Sequence, residues 1–108
     1  MTRRILLRRD VPADLHSIVA WFDHFSTSTS DRFINAVFTS LAGLAEMPGK
    51  GSPKQFRSRK LHGIRSWSVP GFRRFLILYR TLPEAIEVLA VVHGSRHLRR
   101  LLLSRISG

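Results

Sequence analysis

The spacing of the apolar residues changes from a helical to a strand-like period near residues 48–56, and this change sets the fold class. In the first half of the chain, apolar residues recur every three or four positions over two stretches, as on one face of a helix. In the second half, the largely apolar runs 75–79 and 86–92 are bounded by turn residues, as in buried strands. Two helices followed by consecutive strands predict an α+β fold.

Local signals predict where the first elements begin and end. Residues 3–8 predict a short edge strand with charged flanks, and Asp10 is a candidate N-cap of the first helix. After the polar break at residues 26–30, the second helix is predicted to begin near Asp31 and to end at Pro48. The predicted apolar stripes are Val11, Leu15, Ile18, Phe22 and Phe25 on the first helix and Phe33, Ile34, Val37, Phe38, Leu41, Leu44 and Met47 on the second.

The second half of the chain predicts a meander closed by a helix. Residues 61–69 predict a strand with Arg65, Trp67 and Val69 on one face, and Ser95 is a candidate N-cap for a last helix rich in leucine and arginine. The predicted order is β-α-α-β-β-β-α, in which an N-terminal edge strand and a helical hairpin pack on an antiparallel β-meander, with a short C-terminal helix. A chain of 108 residues is expected to form a single domain over residues 1–108.

The composition excludes several classes of site. The absence of Cys excludes disulfides and thiolate chemistry. His16 and His24 lie eight positions apart on the first predicted helix, which does not match the i, i+4 spacing of a shared metal, so neither a metal nor a cofactor is expected. The basic start has only three apolar residues together, and no apolar run has the length of a membrane span. A cytoplasmic protein without membrane contact is therefore expected.

The charge of the chain is high and unevenly distributed. The net charge is +11, of which residues 55–108 carry +9, and 15 of the 18 cations are arginine. Such a charge attracts nucleic acid, an anionic membrane or an acidic protein, and arginine favours planar contacts with phosphate or carboxylate. A GC-rich genome is an equally simple explanation for any single arginine.

Several segments, taken in order, resemble one known family. The helical hairpin contributes the first of them and the three strands of the meander the rest, and together they cover about residues 10–103. The segments are Asp14-Leu15, Ile18, Trp21-Phe22, Arg32-Phe33, Pro48-Gly49-Lys50-Gly51, Leu61 to Val69, Phe72 to Arg80, and Ile86 to Arg96 with its His93-Gly94-Ser95-Arg96 end. This ordered set resembles the RelE/ParE toxin superfamily.

The resemblance implies the toxin of a type II toxin–antitoxin system, of the kind associated with plasmid stabilization. Such a protein arrests growth unless a cognate antitoxin binds it in a hetero-oligomer. RelE-like members are ribosome-dependent endoribonucleases that cleave messenger RNA, whereas ParE-like members inhibit DNA gyrase. An inactive, antitoxin-binding family member is a third alternative, and a generic basic DNA-binding domain is the alternative outside the family.

The residues found at the positions that are catalytic in RelE-like enzymes favour the ParE-like branch. Arg65 and Arg96 match basic positions of the family, but Trp67 stands where a Lys is usual and Leu102 where a Tyr is usual. No catalytic residue is therefore assigned. His97 stands where ParE-like chains usually have an acid, which departs from that branch as well.

The candidate site residues each have a structural alternative. If the chain is a ribonuclease, the predicted catalytic set is Arg65, His93 and Arg96. Trp67 is expected to fill the core or to contact a base or the antitoxin, and Arg65 to pair with Glu87 or Glu46 or to bind an anion. The arginines of the last helix contact a partner or form a solvated face. The predicted residues for binding the target or the antitoxin are Arg65, Trp67, Arg74, Arg96, Arg99 and Arg100.

Overall fold

A five-stranded mixed sheet lies between two helical layers. The computed structural model describes residues 2–107 apart from the Ser107 side chain, so the ends of the predicted domain, Met1 and Gly108, lie outside the described residues. The helices are α1 (Val11–Asp23), α2 (Thr27–Glu46) and α3 (Leu98–Ser107), and the strands are β1 (Arg4–Leu7), β2 (Ser52–Pro53), β3 (Ile64–Val69), β4 (Phe72–Thr81) and β5 (Ala85–His93). The predicted α+β order is confirmed.

The strands lie side by side in the order β1-β5-β4-β3-β2. Strands β2 to β5 pair antiparallel, as the predicted meander requires, and β1 is an edge strand as predicted. Strand β1 runs parallel to β5, with Arg4 opposite Ala85 and Leu7 opposite Val88. This parallel pair makes the sheet mixed and joins the first strand of the chain to the last.

The two faces of the sheet bury two separate cores. On one face, the stripes of α1 and α2 pack on side chains of β4 and β5 such as Ile77, Ile86 and Val91. On the other face, Leu102 of α3 packs with Leu78 and Leu89. Strands β4 and β5 are therefore covered on both sides, which explains their continuous apolar runs.

The start of α2 and the last residue of each predicted apolar stripe differ from the prediction. Helix α2 begins at Thr27 instead of near Asp31, because the extended Ser26 accepts a hydrogen bond from the Thr29 N–H at 3.3 Å and so caps the helix within the polar break. Phe25 and Met47 lie outside the helices and are 73% and 64% exposed. Neither residue belongs to the apolar stripe to which the periodicity assigned it, and Phe38, within α2, is 47% exposed and does not belong to its stripe either.

Other local predictions also need correction. Asp10 stands at the N-cap position of α1, but its side chain makes no capping hydrogen bond. Ser95 does not cap α3, because its hydroxyl bonds to His93 Nδ1 at 2.7 Å and α3 begins three residues later. Strand β3 begins at residue 64 and not at residue 61, because Arg59–Leu61 form a turn of 3₁₀ helix. The predicted loop at residues 48–56 contains the 3₁₀ turn Pro48–Lys50 and the short strand β2.

Asp14 joins α1 to β5 and α3. Its Oδ2 accepts hydrogen bonds from the Val91 N–H at 3.0 Å and from Arg105 Nη1 at 2.7 Å, while its Oδ1 accepts one from Arg105 Nη2. Arg105 Nη1 also donates to the Leu89 carbonyl at 2.9 Å. The two side chains are only 10% and 12% exposed, and hydrogen bonding to Asp14 raises the pKa of Arg105. Arg105 is thus a mostly buried partner of Asp14 and does not belong to the solvated face of α3.

Tyr79 fastens the turn after α2 to the centre of the sheet. Its ring is fully buried, and its hydroxyl donates to the Pro48 carbonyl at 2.5 Å while accepting from the Gly51 N–H at 3.0 Å. A Cβ on Gly51 would clash with this hydroxyl, which explains the glycine. Burial raises the pKa of Tyr79 above its ordinary value near 10.0.

We expect Arg105→Met to lower the free energy of unfolding by about 3 kcal/mol, because it leaves the Asp14 carboxylate buried without its cation. Arg99→Met, on the exposed side of α3, is the matched control and should change it by less than about 0.5 kcal/mol. Urea unfolding measures both values. Equal stability of the two variants would contradict this account of α3.

We expect the native phenol to ionise at a higher pH than the denatured one. As the pH rises through 10.0, the unfolded chain releases the Tyr79 proton while the folded chain keeps it. The contribution of this group to the free energy of unfolding is therefore complete below pH 10.0 and is lost as the pH rises further through the raised pKa of the folded chain. Absorbance of the phenolate reports the group directly, because Tyr79 is the only tyrosine. In Tyr79→Phe the alkaline loss should be smaller, and stability at neutral pH should fall by about 1–3 kcal/mol. Identical native and denatured titrations would refute the prediction.

Candidate functional site

An apolar groove of about 620 Å³ opens between α1 and the beginning of β4. Its walls carry Ile18, Trp21 and Phe22 from α1 and Phe72 and Phe75 from β4. The aromatic rings of the groove pack on one another: Phe22 contacts Phe72 edge-on, with ring centroids 5.3 Å apart, and Phe75 with ring centroids 5.6 Å apart. Trp21 at the rim is 54% exposed and stacks edge-on against the exposed Phe25.

Basic residues line one end of this groove. Arg73, Arg74 and His93 line it directly, and the Gly94 N–H donates to the Arg74 carbonyl at 2.6 Å. This bond holds the turn after β5 against the start of β4, so Arg96 in that turn lies close to the same end of the sheet. A Cβ on Gly94 would lie 3.3 Å from the Arg74 carbonyl oxygen, which favours glycine at this close approach.

Arg99 and Arg100, which the sequence predicts to bind the target or the antitoxin, follow shortly after this turn. Arg99 and Arg100 occupy the first turn of α3 and are exposed, as are Arg74 and Arg96. No Asp or Glu occurs after Glu87. Of the six predicted binding residues, Arg74 lines the groove and Arg96 lies in the turn bonded to it, whereas Arg99 and Arg100 belong to α3, which packs on the opposite face of the sheet.

Arg65 lies elsewhere and has a structural role. Its Nη1 donates to the Gly49 carbonyl at 3.2 Å and to the Gly51 carbonyl at 2.6 Å, and so it holds the same turn that Tyr79 holds. Of the two alternatives predicted for Arg65, the ion pair is not formed: Glu87 pairs with Arg80 at 2.8 Å and with Arg8 at 3.4 Å, and among residues 2–107 no ion pair joins Arg65 to Glu46.

Trp67 packs partly buried against the core beneath α2. The ammonium of Lys50 lies 4.9 Å from the ring centroid, as in a cation–π contact. Its indole Nε1 is buried and has no hydrogen-bond partner among residues 2–107.

In the predicted ribonuclease set, His93 and Arg96 share the turn after β5, with the Arg96 N–H donating to the His93 carbonyl at 3.0 Å, but Arg65 lies apart from them. Arg65 lies opposite Tyr79 on β4, whereas His93 lies opposite Phe75, so the two are separated by four residues, about 13 Å, along β4 and by two strand spacings across it. His93 Nδ1 is bonded to Ser95, and its ring packs edge-on against Phe75 at 5.2 Å.

The groove contains residues that sequence reasoning did not single out for binding. Trp21 entered only through the family resemblance, and Phe72 and Phe75 only as parts of strands. The local signal was a surplus of aromatic residues, since Trp21, Phe22 and Phe25 exceed what one stripe of a helix can bury. Which of them stay exposed depends on the packing of β4.

Two further findings concern metals and membranes. Within residues 2–107 no three His, Asp or Glu side chains are grouped closely enough to hold a metal ion. In the same part of the chain, no helix combines the length and apolar character needed to cross a bilayer.

Comparison with known proteins gives the family. The family profile described as the ParE toxin of the type II toxin–antitoxin system parDE matches residues 5–98. A solved structure titled as the chromosomal ParDE TA system from P. aeruginosa shares the fold, with a TM-score of 0.69 and 14% sequence identity over 85% of this chain and 96% of that chain. A search of curated protein sequences finds no match. The match over residues 5–98 includes the hairpin, the meander and the turn after β5, and the chain therefore belongs to the ParE toxin family of type II toxin–antitoxin systems.

Proposed function

We propose that this chain arrests bacterial growth by inhibiting DNA gyrase and that a cognate antitoxin neutralises it. The observation that carries the choice of target is the separation of Arg65 from His93 within a member of the ParE family. General acid–base cleavage of RNA needs a base, an acid and cations around one phosphate. This arrangement favours inhibition by protein contact over cleavage.

The only tyrosine is unsuited to proton transfer. The Tyr79 hydroxyl is bonded to the Pro48 carbonyl and the Gly51 N–H inside the protein, and burial raises its pKa further from neutrality. Arg65 binds backbone carbonyls of the same turn. Both residues therefore support the fold in this proposal, and neither is assigned to catalysis.

The groove and its cations are the proposed contact surface for the antitoxin. An apolar floor with exposed aromatic residues suits the apolar face of a partner helix, and Trp is a common centre of binding energy. Arg73 and Arg74 at the groove, together with Arg96, Arg99 and Arg100 in the turn and helix that follow β5, suit acidic residues of the same partner. This assignment keeps Arg74, Arg96, Arg99 and Arg100 from the predicted set and moves Arg65 and Trp67 to supporting roles.

We expect the purified chain to abolish the supercoiling of relaxed plasmid by gyrase and to leave no trace of messenger-RNA cleavage in a translating extract. Induction of the chain in a host with a DNA-damage reporter should arrest growth and raise the reporter signal. Arrest with a silent reporter and cleaved messenger RNA would overturn the gyrase proposal in favour of the ribonuclease. Absence of any arrest would indicate an inactive, antitoxin-binding member.

We expect Trp21→Ala to weaken the antitoxin complex by about 2 kcal/mol, or about 30-fold in Kd, because the exposed indole at the groove rim loses its contact with the partner. The antitoxin is identified as the small protein whose co-expression restores growth, and calorimetry measures the affinity. Phe38→Ala is the matched control, since Phe38 is an exposed aromatic of α2 outside the groove lining. Equal affinity of the two variants would place the antitoxin elsewhere.

A further inference from the structure

Two stretches in the second half of the chain carry cations without any acid. Neither residues 47–83 nor residues 88–108 contain Asp or Glu. Of the two acids between these stretches, Glu87 is paired with Arg80 and with Arg8. Internal compensation of the remaining cations therefore has to come from acids that are distant in the chain.

The fold brings exposed arginines from both stretches to one face of the molecule. The 3₁₀ turn Arg59–Leu61 lies against α3, with Cα atoms of the two elements within 8 Å of each other. Leu61 of this turn is 1% exposed and shares a core with Leu102 of α3, and Phe56 packs against the same core. The exposed arginines on the two sides of this contact form what we call the arginine face: Arg57, Arg59, Arg99 and Arg100.

The arginine face is not neutralised by the rest of the protein. Among residues 2–107, its four side chains form no hydrogen bond and no ion pair. Arg99 and Arg100 also lie in the first turn of α3, which contains no acid, and the partial positive charge of a helix N-terminus makes cations unfavourable there. An external anion would offset this repulsion.

The absence of exposed apolar groups on this face indicates which anion fits it. Within residues 2–107, the large apolar side chains that are exposed belong to β1, to the helical hairpin and to the residues next to its helices, and none belongs to residues 54–63 or to α3. A helix that binds a membrane surface needs an exposed apolar side, and a protein interface usually centres on an apolar or aromatic anchor. Single-stranded nucleic acid is held by stacking of its bases on aromatic side chains. A duplex needs none of these, because its outer surface is phosphate.

The chemistry and the length of the face suit the backbone of a duplex. A guanidinium group binds two oxygens of one phosphate through parallel N–H groups. Each strand of a duplex has one phosphate for about every 3.4 Å of the axis. Helix α3 has 10 residues and is therefore about 15 Å long, so about four phosphates of one strand can pass along it. This number matches the four arginines.

We propose that the arginine face binds the phosphate backbone of duplex DNA without reading its sequence. The choice of DNA over duplex RNA rests on the proposed function, since the substrate of gyrase is duplex DNA. The inference adds to that function a contact of the chain with the DNA itself. Arg99 and Arg100 also belong to the proposed antitoxin contact, so the antitoxin and DNA compete for them.

The test follows the fluorescence anisotropy of a labelled duplex DNA of 20 base pairs as the full chain is added at several salt concentrations. The logarithm of the binding constant should fall against the logarithm of the salt concentration with a slope of about −3 to −4, as expected for four phosphate contacts. Two duplexes of unrelated sequence should bind within about twofold of each other. Single-stranded DNA and phosphatidylserine vesicles should compete at least about tenfold more weakly than duplex DNA, and duplex RNA should compete no better than it.

Two double variants each remove half of the arginine face. They are Arg57→Gln with Arg59→Gln, and Arg99→Gln with Arg100→Gln. Each should weaken the binding of duplex DNA by at least about tenfold and make the slope shallower by about 2, because two phosphate contacts are lost. The phenolate titration of Tyr79 checks that the variants fold.

The matched control is Arg4→Gln with Arg32→Gln, which removes the same charge from exposed positions on β1 and on α2, the latter on the other side of the sheet. It should keep the slope and weaken binding by less than about threefold. Equal losses in the control and in the arginine-face variants would overturn the proposal, because net charge alone would then explain the binding. Tighter binding of duplex RNA, single-stranded DNA or vesicles would also overturn it.

These measurements contain neither gyrase nor antitoxin. If the chain inhibits gyrase but does not bind DNA through the arginine face, only the present inference fails. If it binds DNA through this face but does not inhibit gyrase, only the proposed function fails.

Discussion

The fold depends on one polar contact between its layers, the buried pair of Asp14 and Arg105. Strand β5 continues past Val88, where its pairing with β1 ends, and the backbone there bonds to side chains. Asp14 binds the Val91 N–H, and Arg105 binds the Leu89 carbonyl. Because the two side chains also bind each other, neither charge is left uncompensated, and α1 and α3 are fixed on opposite faces of the same strand.

Because these acids are paired inside the protein, most arginines of the second half have no acidic partner and lie on the surface. Glu87 is bound by Arg8 and Arg80, Asp14 and Asp10 by Arg105, and Asp23 by Ser30, so at least four of the seven acids are used within the protein. Most arginines of the second half stay exposed, and Arg73, Arg74 and Arg96 lie where the start of β4 meets the turn after β5. The apolar groove, with Arg73 and Arg74 at its end, is the surface proposed above for an acidic, amphipathic partner.

Much of the architecture could be predicted because it follows from local patterns. Period and turn residues identify the hairpin and the meander, and the edge position of β1 follows from its charged flanks. The start of α2 was misplaced because Ser26 to Ser30 offer five possible capping hydroxyls, and sequence alone does not choose among them. The ion pair assigned to Arg65 was wrong because Glu87 has two other arginines nearer to it in the fold.

The sequence by itself determined the elements, their order, the family resemblance and the sign of the charge, since each depends on residues close together in the chain. Only the tertiary structure decided which side chains meet. Asp14 and Arg105 lie 91 residues apart, and the parallel pairing of β1 with β5 spans nearly the whole chain. The separation of Arg65 from His93 is likewise a matter of strand register, since Arg65 pairs with Tyr79 and His93 with Phe75 on the intervening strand β4. Contacts of this kind depend on packing against distant residues, and no local pattern specifies them.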